Sequence, residues 1–426
     1  MKDKIKILFY VPSSIYGGTE LLFLRFIQYL IENHTFELYI YNAENSILGG
    51  LLPSSVVQVD VLEEYSPYDI LILSSKYARE FSSLFSSIII HRTYLWQLQP
   101  DELMSQFFPY VNRFRMFGPL FNALRYIHVN IFFASRARYL FGELSLWERV
   151  DGVFYMDKSN YIETNNWIGR QSNFDIKYQP ITAPSRDLLY VRRSVGSSEK
   201  LHVSIVSRVS FDFKFFPIVS AMEALSSYSE SHQRNISLFV IGDGDALDSL
   251  KKISTQYAND YFDIVFYGFM PVDEVVAEIY PMIDMAIGMG TSVLDSASLG
   301  IPTLVTDVYT FNIKGEDARF RWLHQVEGFT LGEYIQDKPK NGFGMTDAIN
   351  SLDSIGDVLS KQEYLYFMEN HEANKVFSLF VSRIKNSIGI TNIQESVRSV
   401  INKSSVIESI YVFMFSCLRY VFKKEK

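Results

Sequence analysis

The chain has 426 residues, a formal net charge of −8, a hydrophobic content of 48% and one cysteine, Cys417. Its length allows two or three domains with substantial cores, which excludes a mainly disordered chain. The negative charge argues against a nucleic-acid-binding protein. A lone cysteine excludes a disulfide framework and a cysteine-based metal site, as is usual in the reducing cytoplasm.

Short apolar runs alternate with helical patterns along the first half of the chain. The run after MKDK is too short for a secretory signal peptide, and no stretch of about 18 uncharged apolar residues predicts a membrane-spanning helix. Predicted strands occupy 4–11, 36–42, 56–61, 69–74, 87–92 and 153–155. Predicted helices occupy 19–31, 76–85 and 158–168. Apolar strands separated by helices are typical of a doubly wound parallel sheet buried on both faces.

The same rhythm restarts after a segment rich in Pro, Ser, Gly and charged residues. Predicted strands occupy 201–207, 237–241, 263–267, 284–287 and 303–306. Predicted helices occupy 215–227, 246–257, 272–280 and 292–299. We therefore predict a domain at 1–182, a linker at 183–200, a second domain at 201–375 and a helical tail at 376–426. Two such Rossmann-like domains are expected to face each other across a cleft, and the tail to pack on the first domain or on a membrane.

Glycines and cations follow two of the predicted strands. Gly17 and Gly18 precede a helix, where backbone amides and the helix N-terminus favour an anion, although a tight turn explains them equally well. Arg208 and Lys214 follow the first strand of the second domain. A guanidinium and an ammonium there suit a diphosphate, the alternative being two solvated surface cations.

The next strand of the second domain ends in VIGDGDALDSL. Asp243 and Asp245 have the spacing of a metal-binding D-x-D motif, but they directly precede a predicted helix. We interpret Asp245 as the N-cap of that helix, with Gly242 and Gly244 forming the turn.

Five motifs in a fixed order give a more specific indication: GGTE, R-x5-K, IGDGDALDSL, VFYGFM and GMGTSVLDSASLGIPTLVTD. In this order they resemble the retaining glycosyltransferases of family 4, which have the two-domain GT-B fold. The resemblance is good over 201–307, fair over 1–95 and slight elsewhere. It implies that a sugar is transferred from a nucleotide-diphosphate donor without a metal or other cofactor, because cations and helix dipoles stabilise the leaving diphosphate.

The resemblance also implies a donor site. In the family an E-x7-E pair binds the donor, the first glutamate contacting the sugar and the second the ribose. Here these positions hold Ile287 and Asp295, so Asp295 is expected to bind the ribose while the sugar-binding carboxylate is absent. An acid that complements the helix dipole is the alternative for Asp295. The other implied contacts are Arg208 and Lys214 with the diphosphate, Gly17 and Gly18 closing over it, Phe269 and Met270 at the base, Gly288, Met289 and Gly290 at the sugar, and Thr291 and Ser292 at a phosphate.

The sequence SIIIHRTYLW is predicted to end a strand at His91. A histidine at this strand end lies beside the donor sugar in the resembling family, so His91 is the predicted catalytic-site residue of the first domain, with Arg208 and Lys214 completing the catalytic set. A structural histidine is the alternative on position alone. Arg92 is a candidate contact for an acceptor phosphate.

Two segments suggest a membrane surface. Residues 107–141 contain no acid and interleave arginines with aromatic residues, and 406–426 is amphipathic and rich in lysine at its end. Both are expected to contact anionic lipid at the inner face of the cell membrane. The alternatives are an aromatic core with solvated arginines for the first segment, and packing on another domain for the second.

The sequence thus predicts a cytoplasmic or peripheral membrane glycosyltransferase, of retaining type. It would transfer a sugar to a glycan or lipid-linked glycan in surface-polysaccharide synthesis. Two other functions stay open: a non-catalytic GT-B protein that binds a glycan or a partner transferase, which Ile287 favours, and a nucleotide-sugar epimerase. The sugar, the base and the acceptor are not predicted.

Overall fold

The computed structural model describes residues 4–14, 17–41, 47–109, 111, 120–170, 176–187, 200–405 and 408–412. Most of the predicted linker, most of 406–426 and part of 107–141 lie outside the described residues. The chain forms two compact units, Met1–Gln179 with Phe377–Lys426 (unit 1) and Pro180–Val376 (unit 2). The sequence had placed the corresponding boundaries at 182 and 375.

A parallel sheet forms the centre of unit 1, with the strand order β3-β2-β1-β4-β5-β6. Its strands are β1 Lys6–Tyr10, β2 Glu37–Tyr41, β3 Val57–Val59, β4 Tyr68–Ser74, β5 Ile90–Gln97 and β6 Val153–Tyr155. β4 reads YDILILS, and its apolar residues from Ile70 to Leu73 are all buried. Side chains that are apolar on both sides of a strand require covering layers on both faces, which the helices of a doubly wound fold supply.

Helices of unit 1 come from both ends of the chain. They are α1 Gly18–Asn33, α2 Ala78–Leu84, α3 Glu102–Phe107, α4 Phe121–Ile127, α5 Ala134–Arg149 and α6 Lys158–Trp167. A π-helical turn, His128–Phe132, joins α4 to α5. Phe26 of α1 stacks on Phe380 at 4.9 Å between ring centroids, and Trp96 of β5 meets the same ring edge-on at 4.9 Å. These aromatic contacts fix the returning C-terminal segment on the core of unit 1.

Unit 2 contains a second sheet with the strand order β12-β11-β10-β7-β8-β9. Its strands are β7 Leu201–Val206, β8 Ile236–Ile241, β9 Phe262–Gly268, β10 Met285–Gly288, β11 Thr303–Thr306 and β12 Phe320–Trp322. The helices that begin in unit 2 are α7 Phe215–His232, α8 Leu247–Ser254, α9 Val272–Glu274, α10 Thr291–Ala297, α11 Met345–Asn370 and α12 Ala373–Asn386, the last of which continues into unit 1. Unit 1 then ends with α13 Ile393–Asn402. β12 is antiparallel to β11, whereas the other strand pairs in this sheet are parallel.

The predicted α/β class with two doubly wound sheets is confirmed. The strand β12 was missed because three residues are too few to show a periodic pattern. None of the helices in the described residues has both the length and the apolar character needed to cross a membrane.

Candidate functional site

Two neighbouring strands of unit 2 lead the chain away in opposite directions. β7 lies between β10 and β8; the chain after β7 passes through α7 to β8, and the chain after β10 passes through α10 to β11. The carboxyl ends of β7 and β10 are therefore the switch point of the sheet, where α/β proteins leave a crevice for a ligand. The residues predicted to bind the diphosphate and the sugar follow these two strands.

The loop after β7 carries the two predicted diphosphate ligands. Arg208 is half-exposed, and its Nη2 donates to a carboxylate oxygen of Asp212 at 3.0 Å. Lys214 directly precedes α7. Burial and the nearby Arg208 guanidinium lower the pKa of the Lys214 ammonium to about 8, and Asp212 opposes this shift. The structure thus brings Arg208 and Lys214 into one electrostatic environment.

The loop after β8 packs tightly against the loop after β7. Gly242 and Gly244 have φ angles of 137° and 153°, and a Cβ atom at either position would overlap the carbonyl oxygens of Ser207 or Val209. Only glycine allows this approach of two backbones. The loop after β8 therefore sets the path of the chain that carries Arg208.

The predicted N-cap role of Asp245 is wrong. α8 begins at Leu247, its N-cap is Ala246, and no side chain caps it. The amide of Ala246 instead donates to the carbonyl of Val209 at 3.1 Å, so the contact with the neighbouring loop fixes where the helix begins. Asp245 is exposed.

The predicted sugar-binding turn follows β10. Gly290 has a φ of 65°, and its amide donates to the carbonyl of Leu331 at 2.8 Å. The hydroxyl of Ser292, at the start of α10, donates to the carbonyl of Met289 at 3.1 Å. One amide and one hydroxyl that the sequence assigned to the donor are thus engaged within the protein.

A segment that the sequence did not indicate, 328–335, supports this turn. The φ of Gly332 is 116°, and a Cβ atom there would lie 2.8 Å from the carbonyl oxygen of Thr306 and 3.3 Å from the Cβ of Met289. The carboxylate of Asp307 accepts from the Glu333 amide at 3.1 Å and forms an ion pair with Arg321. The only sequence signal for this support was the glycines of EGFTLGEY.

Asp295 lies in the second turn of α10 and is buried. Its carboxylate forms an ion pair with Arg186 at 3.2 Å, and the same guanidinium nitrogen donates to the hydroxyl of Ser298 at 2.9 Å. The alternative of a first-turn acid is wrong, because α10 has no acid in its first turn. Ile287, at the other position of the pair, is a buried member of the main hydrophobic core of unit 2.

Phe269 and Met270, the predicted contacts of the base, follow the edge strand β9. Phe269 is 73% exposed, while Met270 packs against a small apolar cluster of unit 2. The carbonyl of Gly268 accepts from the amide of Gly242 at 2.7 Å, which connects this loop to the glycine turn after β8. The three loops after β7, β8 and β9 therefore form one hydrogen-bonded row.

In unit 1, Gly17 and Gly18 lie where the sequence placed them. Gly18 is the first residue of α1, and Gly17 is its N-cap in an extended conformation. The switch point of this sheet lies between β1 and β4, so these glycines follow one of its two strands. Residues 15 and 16 lie outside the described part of this loop.

The prediction that His91 ends a strand is wrong. His91 is the second residue of β5, which continues to Gln97. Its side chain is exposed near the start of the strand, whereas all residues of the strand from Thr93 onward are buried. Gly17 and Gly18 follow the carboxyl end of β1, whereas His91 lies near the amino end of β5. The structure therefore does not bring His91 together with them, and Arg92 donates to the carbonyl of Ile384 at 3.1 Å.

Sequence reasoning also missed a buried polar network at the carboxyl ends of β4 and β5. The Glu102 carboxylate accepts from the hydroxyl of Ser74 and from the amide of Leu98, both at 3.1 Å, and the hydroxyl of Ser75 donates to Gln97. Burial raises the pKa of Glu102 to about 7, against the lowering effect of these hydrogen bonds. Polar residues after two apolar strands were the available signal.

Within the described ranges, no three His, Cys, Asp or Glu side chains lie close enough together to hold a metal ion. The charged groups on the loop after β7 are the cations Arg208 and Lys214 and the carboxylate of Asp212, which is paired with Arg208. Chemically, this arrangement suits an anion with several oxygens.

No protein-family model matches the sequence, and no curated protein sequence matches it either. Solved structures do match it over most of its length. A crystal structure of a glycosyltransferase from Rickettsia africae ESF-5 is similar with a TM-score of 0.54 and 12% identity, covering 90% of this chain and 100% of that one.

Sucrose-phosphate synthase from Thermosynechococcus elongatus is similar with a TM-score of 0.52 and 10% identity, over 90% of this chain and 98% of that one. The apo form of the lipopolysaccharide outer core galactosyltransferase WaaB is similar with a TM-score of 0.50 and 12% identity, over 89% of this chain and 99% of that one. Identities this low establish the fold alone. The fold of the chain is that of the GT-B glycosyltransferases.

Proposed function

We propose that the protein is a retaining glycosyltransferase that binds a nucleotide-diphosphate sugar in unit 2. The observation that carries this proposal is that Arg208 and Lys214 lie on one loop at the switch point, and that the turn formed by Gly288, Met289 and Gly290 follows the neighbouring strand. A diphosphate bound there would accept charge-assisted hydrogen bonds from both cations.

The same cations would assist the chemical step. The bond between the anomeric carbon and the diphosphate breaks, an acceptor hydroxyl forms the new bond on the same face, and its proton passes to the departing diphosphate. Negative charge develops on the diphosphate during this step, and preorganised cations stabilise that charge more than they stabilise the bound substrate. In this proposal Arg208 and Lys214 replace a metal ion.

The acceptor is proposed to be a glycan or a lipid-linked glycan of surface-polysaccharide synthesis. Support comes from the shared fold, since solved structures with this fold include a lipopolysaccharide outer core galactosyltransferase. The test is turnover of a panel of sugar nucleotides with glycan acceptors, with and without EDTA, and proton NMR of the anomeric configuration of the product. An inverted product would refute retention, and loss of activity in EDTA would refute metal independence. If no nucleotide bound and none turned over, the proposal would be rejected as a whole.

One observation favours a second candidate, a non-catalytic GT-B protein that binds a glycan or a partner transferase. The position of a sugar-binding carboxylate holds the core residue Ile287, and the Gly290 amide is engaged by Leu331. The sugar side of the site is therefore poorer in polar groups than its phosphate side. Nucleotide binding without transfer to any acceptor of the panel would select this candidate, and interconversion of a nucleotide sugar without an acceptor would identify an epimerase.

We also propose that unit 1 contacts an anionic membrane surface at the inner face. Leu120, Tyr126, Ile127 and Ile131 are exposed on the segment from 120 to 132, and such a row of apolar side chains favours an interfacial location. The arginines of the alternative interpretation are not all solvated. Arg125 is paired with Glu163, and Arg136 with Glu408 of the C-terminal segment.

The membrane proposal is tested by sedimentation with vesicles that contain phosphatidylglycerol. The double variant Ile127→Glu/Ile131→Glu should lose binding, because each substitution places a charge in the apolar row. Ile162→Glu is the matched control, since Ile162 is also exposed in unit 1 but lies on α6. Equal binding by the double variant and the control would contradict the proposal.

A further inference from the structure

The carboxylate of Asp295 is held by a buried guanidinium. Arg186 and Asp295 are 109 positions apart in the sequence, and their side chains are 14% and 7% exposed. One nitrogen of Arg186 serves both the Asp295 carboxylate at 3.2 Å and the Ser298 hydroxyl at 2.9 Å. Ser298 in turn donates to the backbone carbonyl of Asp295 at 2.8 Å. One carboxylate oxygen of this buried acid is therefore engaged within the protein.

Arg186 is carried by a well-fixed stretch of backbone. Three residues before it, the amide of Ala183 donates to the carbonyl of His371 at 3.2 Å, and the carbonyl of Ala183 accepts from the amide of Ala373 at 3.1 Å. Two positions earlier still, the carbonyl of Ile181 lies 2.8 Å from Nδ1 of His371. The backbone that leads to Arg186 is therefore fixed by hydrogen bonds of Ile181 and Ala183 to the chain around His371.

The pair also has a buried aromatic neighbour. Tyr280 is fully enclosed, and its pKa is raised by burial and by the Asp295 carboxylate and lowered by the Arg186 guanidinium. Both charges thus lie close to an apolar, water-poor region. Separating them would leave a charge buried without its partner, which costs more than a hydrogen bond from one hydroxyl to a carboxylate returns.

We infer that Arg186 prevents Asp295 from reading the ribose, so that the donor site does not discriminate between ribonucleotides and 2′-deoxyribonucleotides. The donor class thereby includes deoxynucleoside-diphosphate sugars as well as their ribose counterparts. Arg186 is a specificity-determining residue in this scheme, although it does not contact the reacting atoms. The inference rests on the proposed function, because it concerns the nucleotide that the switch point of unit 2 binds.

Calorimetric titration of matched nucleotide pairs tests the inference. The pairs are UDP and dUDP, ADP and dADP, GDP and dGDP, and CDP and dCDP, each with the wild-type full-length chain. We expect the dissociation constants within the pair of the preferred base to agree within about threefold, since a recognised hydroxyl contributes tenfold or more when it bonds a charged group. A preference of about tenfold or more for the ribonucleotide would overturn the inference and leave the proposed function standing. Absence of binding for all eight nucleotides would overturn both.

Two variants test the role of Arg186 itself. Arg186→Met removes the guanidinium and releases the carboxylate, so a preference of about tenfold for the ribonucleotide should appear. Arg319→Met is the matched control in unit 2, because the Arg319 guanidinium bonds the backbone carbonyls of Glu316 and Ala318. If folded Arg186→Met kept the wild-type ratio between the dissociation constants of the ribonucleotide and the deoxyribonucleotide, the inference would be contradicted.

The unpaired carboxylate could prevent Arg186→Met from folding, and Asp295→Asn covers that outcome. The amide keeps the shape of the side chain, and the inference predicts that the ratio within each nucleotide pair stays within about threefold of one. If Asp295→Asn instead weakened binding of the ribonucleotide alone, Asp295 would be a ribose ligand in the wild-type protein and the inference would be wrong.

Discussion

The two units of the protein share one strand order and differ in the chemistry of one sheet edge. The strand order from β3 to β6 in unit 1 is matched by the order from β9 to β12 in unit 2, so each sheet has its switch point between its first and fourth strands. In unit 2 this edge carries the cations Arg208 and Lys214. In unit 1 the hydroxyl of Ser74, at the end of β4, bonds the buried carboxylate of Glu102.

The difference shows that the strand order determines where a site lies, whereas a few side chains determine which ligand it can bind. Gly242 and Gly244 let the backbone after β8 approach the backbone after β7, so these two loops of unit 2 pack through their main chains. Unit 1 fills the corresponding region with polar side chains that bond one another. Cations suit a diphosphate, and because Arg208 and Lys214 lie at the edge of unit 2 we assign the proposed donor site to unit 2.

The largest expected effect comes from removing the glycine contact that distinguishes unit 2. In Gly242→Ala, the new methyl group overlaps the Ser207 carbonyl, and the residue must adopt a φ of 137°, which L-residues rarely adopt. We expect the free energy of unfolding to fall by about 3 kcal/mol or more, measured by urea unfolding followed by circular dichroism.

Gly17→Ala is the matched control in unit 1. Gly17 has an extended conformation, and the nearest atom to a new Cβ is the movable carboxylate of Glu20 at 3.1 Å. Its unfolding free energy should change by less than about 1 kcal/mol. Equal losses in the two variants would show that the two edges do not differ in how closely their backbones pack.

The second prediction concerns the carboxylate that distinguishes unit 1. Burial raises the pKa of Glu102 from 4.5 to about 7, so the folded state holds this proton more tightly than the unfolded state. The associated stability is fully present below pH 4.5 and is lost as the pH rises through 7. The free energy of unfolding should therefore fall by at most about 1.4 kcal/mol per pH unit, or by about 3 kcal/mol in total as the pH rises from 4.5 to 7.

Glu102→Gln should flatten this slope in urea unfolding curves measured between pH 4.5 and 8. Glu363→Gln provides the comparison in unit 2, because burial also raises the pKa of Glu363 to about 7, although that carboxylate bonds His324. A wild-type slope in Glu102→Gln would mean that the unit 1 edge does not hold a protonated carboxyl group.

The parts of the molecule that could be predicted are those with a local pattern. The apolar run and glycines around β10 and α10 indicated elements at 284–287 and 292–299, and the structure has them at Met285–Gly288 and Thr291–Ala297. Cations and glycines that directly follow apolar strands indicated the loops of the site. These signals are local because strand ends and helix starts lie a few residues apart in α/β folds.

The parts that could not be predicted depend on contacts between distant residues. His91 and Arg92 interrupt an apolar run, which imitates the end of a strand, whereas they are the second and third residues of β5. The pairing of Arg186 with Asp295 spans 109 positions, and the support of Gly290 by Leu331 uses backbone atoms alone. Neither kind of contact leaves a pattern in a single sequence.

A third prediction addresses the cation that is most accessible at the edge of unit 2. Arg208→Ala should weaken nucleoside-diphosphate binding by about 1.5–3 kcal/mol, the contribution of a hydrogen bond to a charged group. Calorimetric titration measures the change, and Arg398→Ala on α13 is a control that removes an exposed arginine from unit 1. An unchanged affinity in Arg208→Ala would show that the diphosphate binds elsewhere, and the contrast between the two edges would lose its functional meaning.

The smallest expected effect comes from the proton on Lys214. Burial and Arg208 lower the pKa of its ammonium to about 8 in the free protein, and a bound diphosphate would raise that pKa again. Binding at pH 8 should therefore take up close to half a proton, which calorimetry in buffers of different ionisation enthalpy detects. Raising the pH from 7 to 9 should weaken binding about tenfold, or about 1.4 kcal/mol, because the ammonium must first regain its proton. Lys214→Arg keeps its charge over this range and should remove the pH dependence. Affinity that stays constant from pH 7 to 9 in the wild-type protein would exclude Lys214 from the diphosphate site while leaving Arg208 in it.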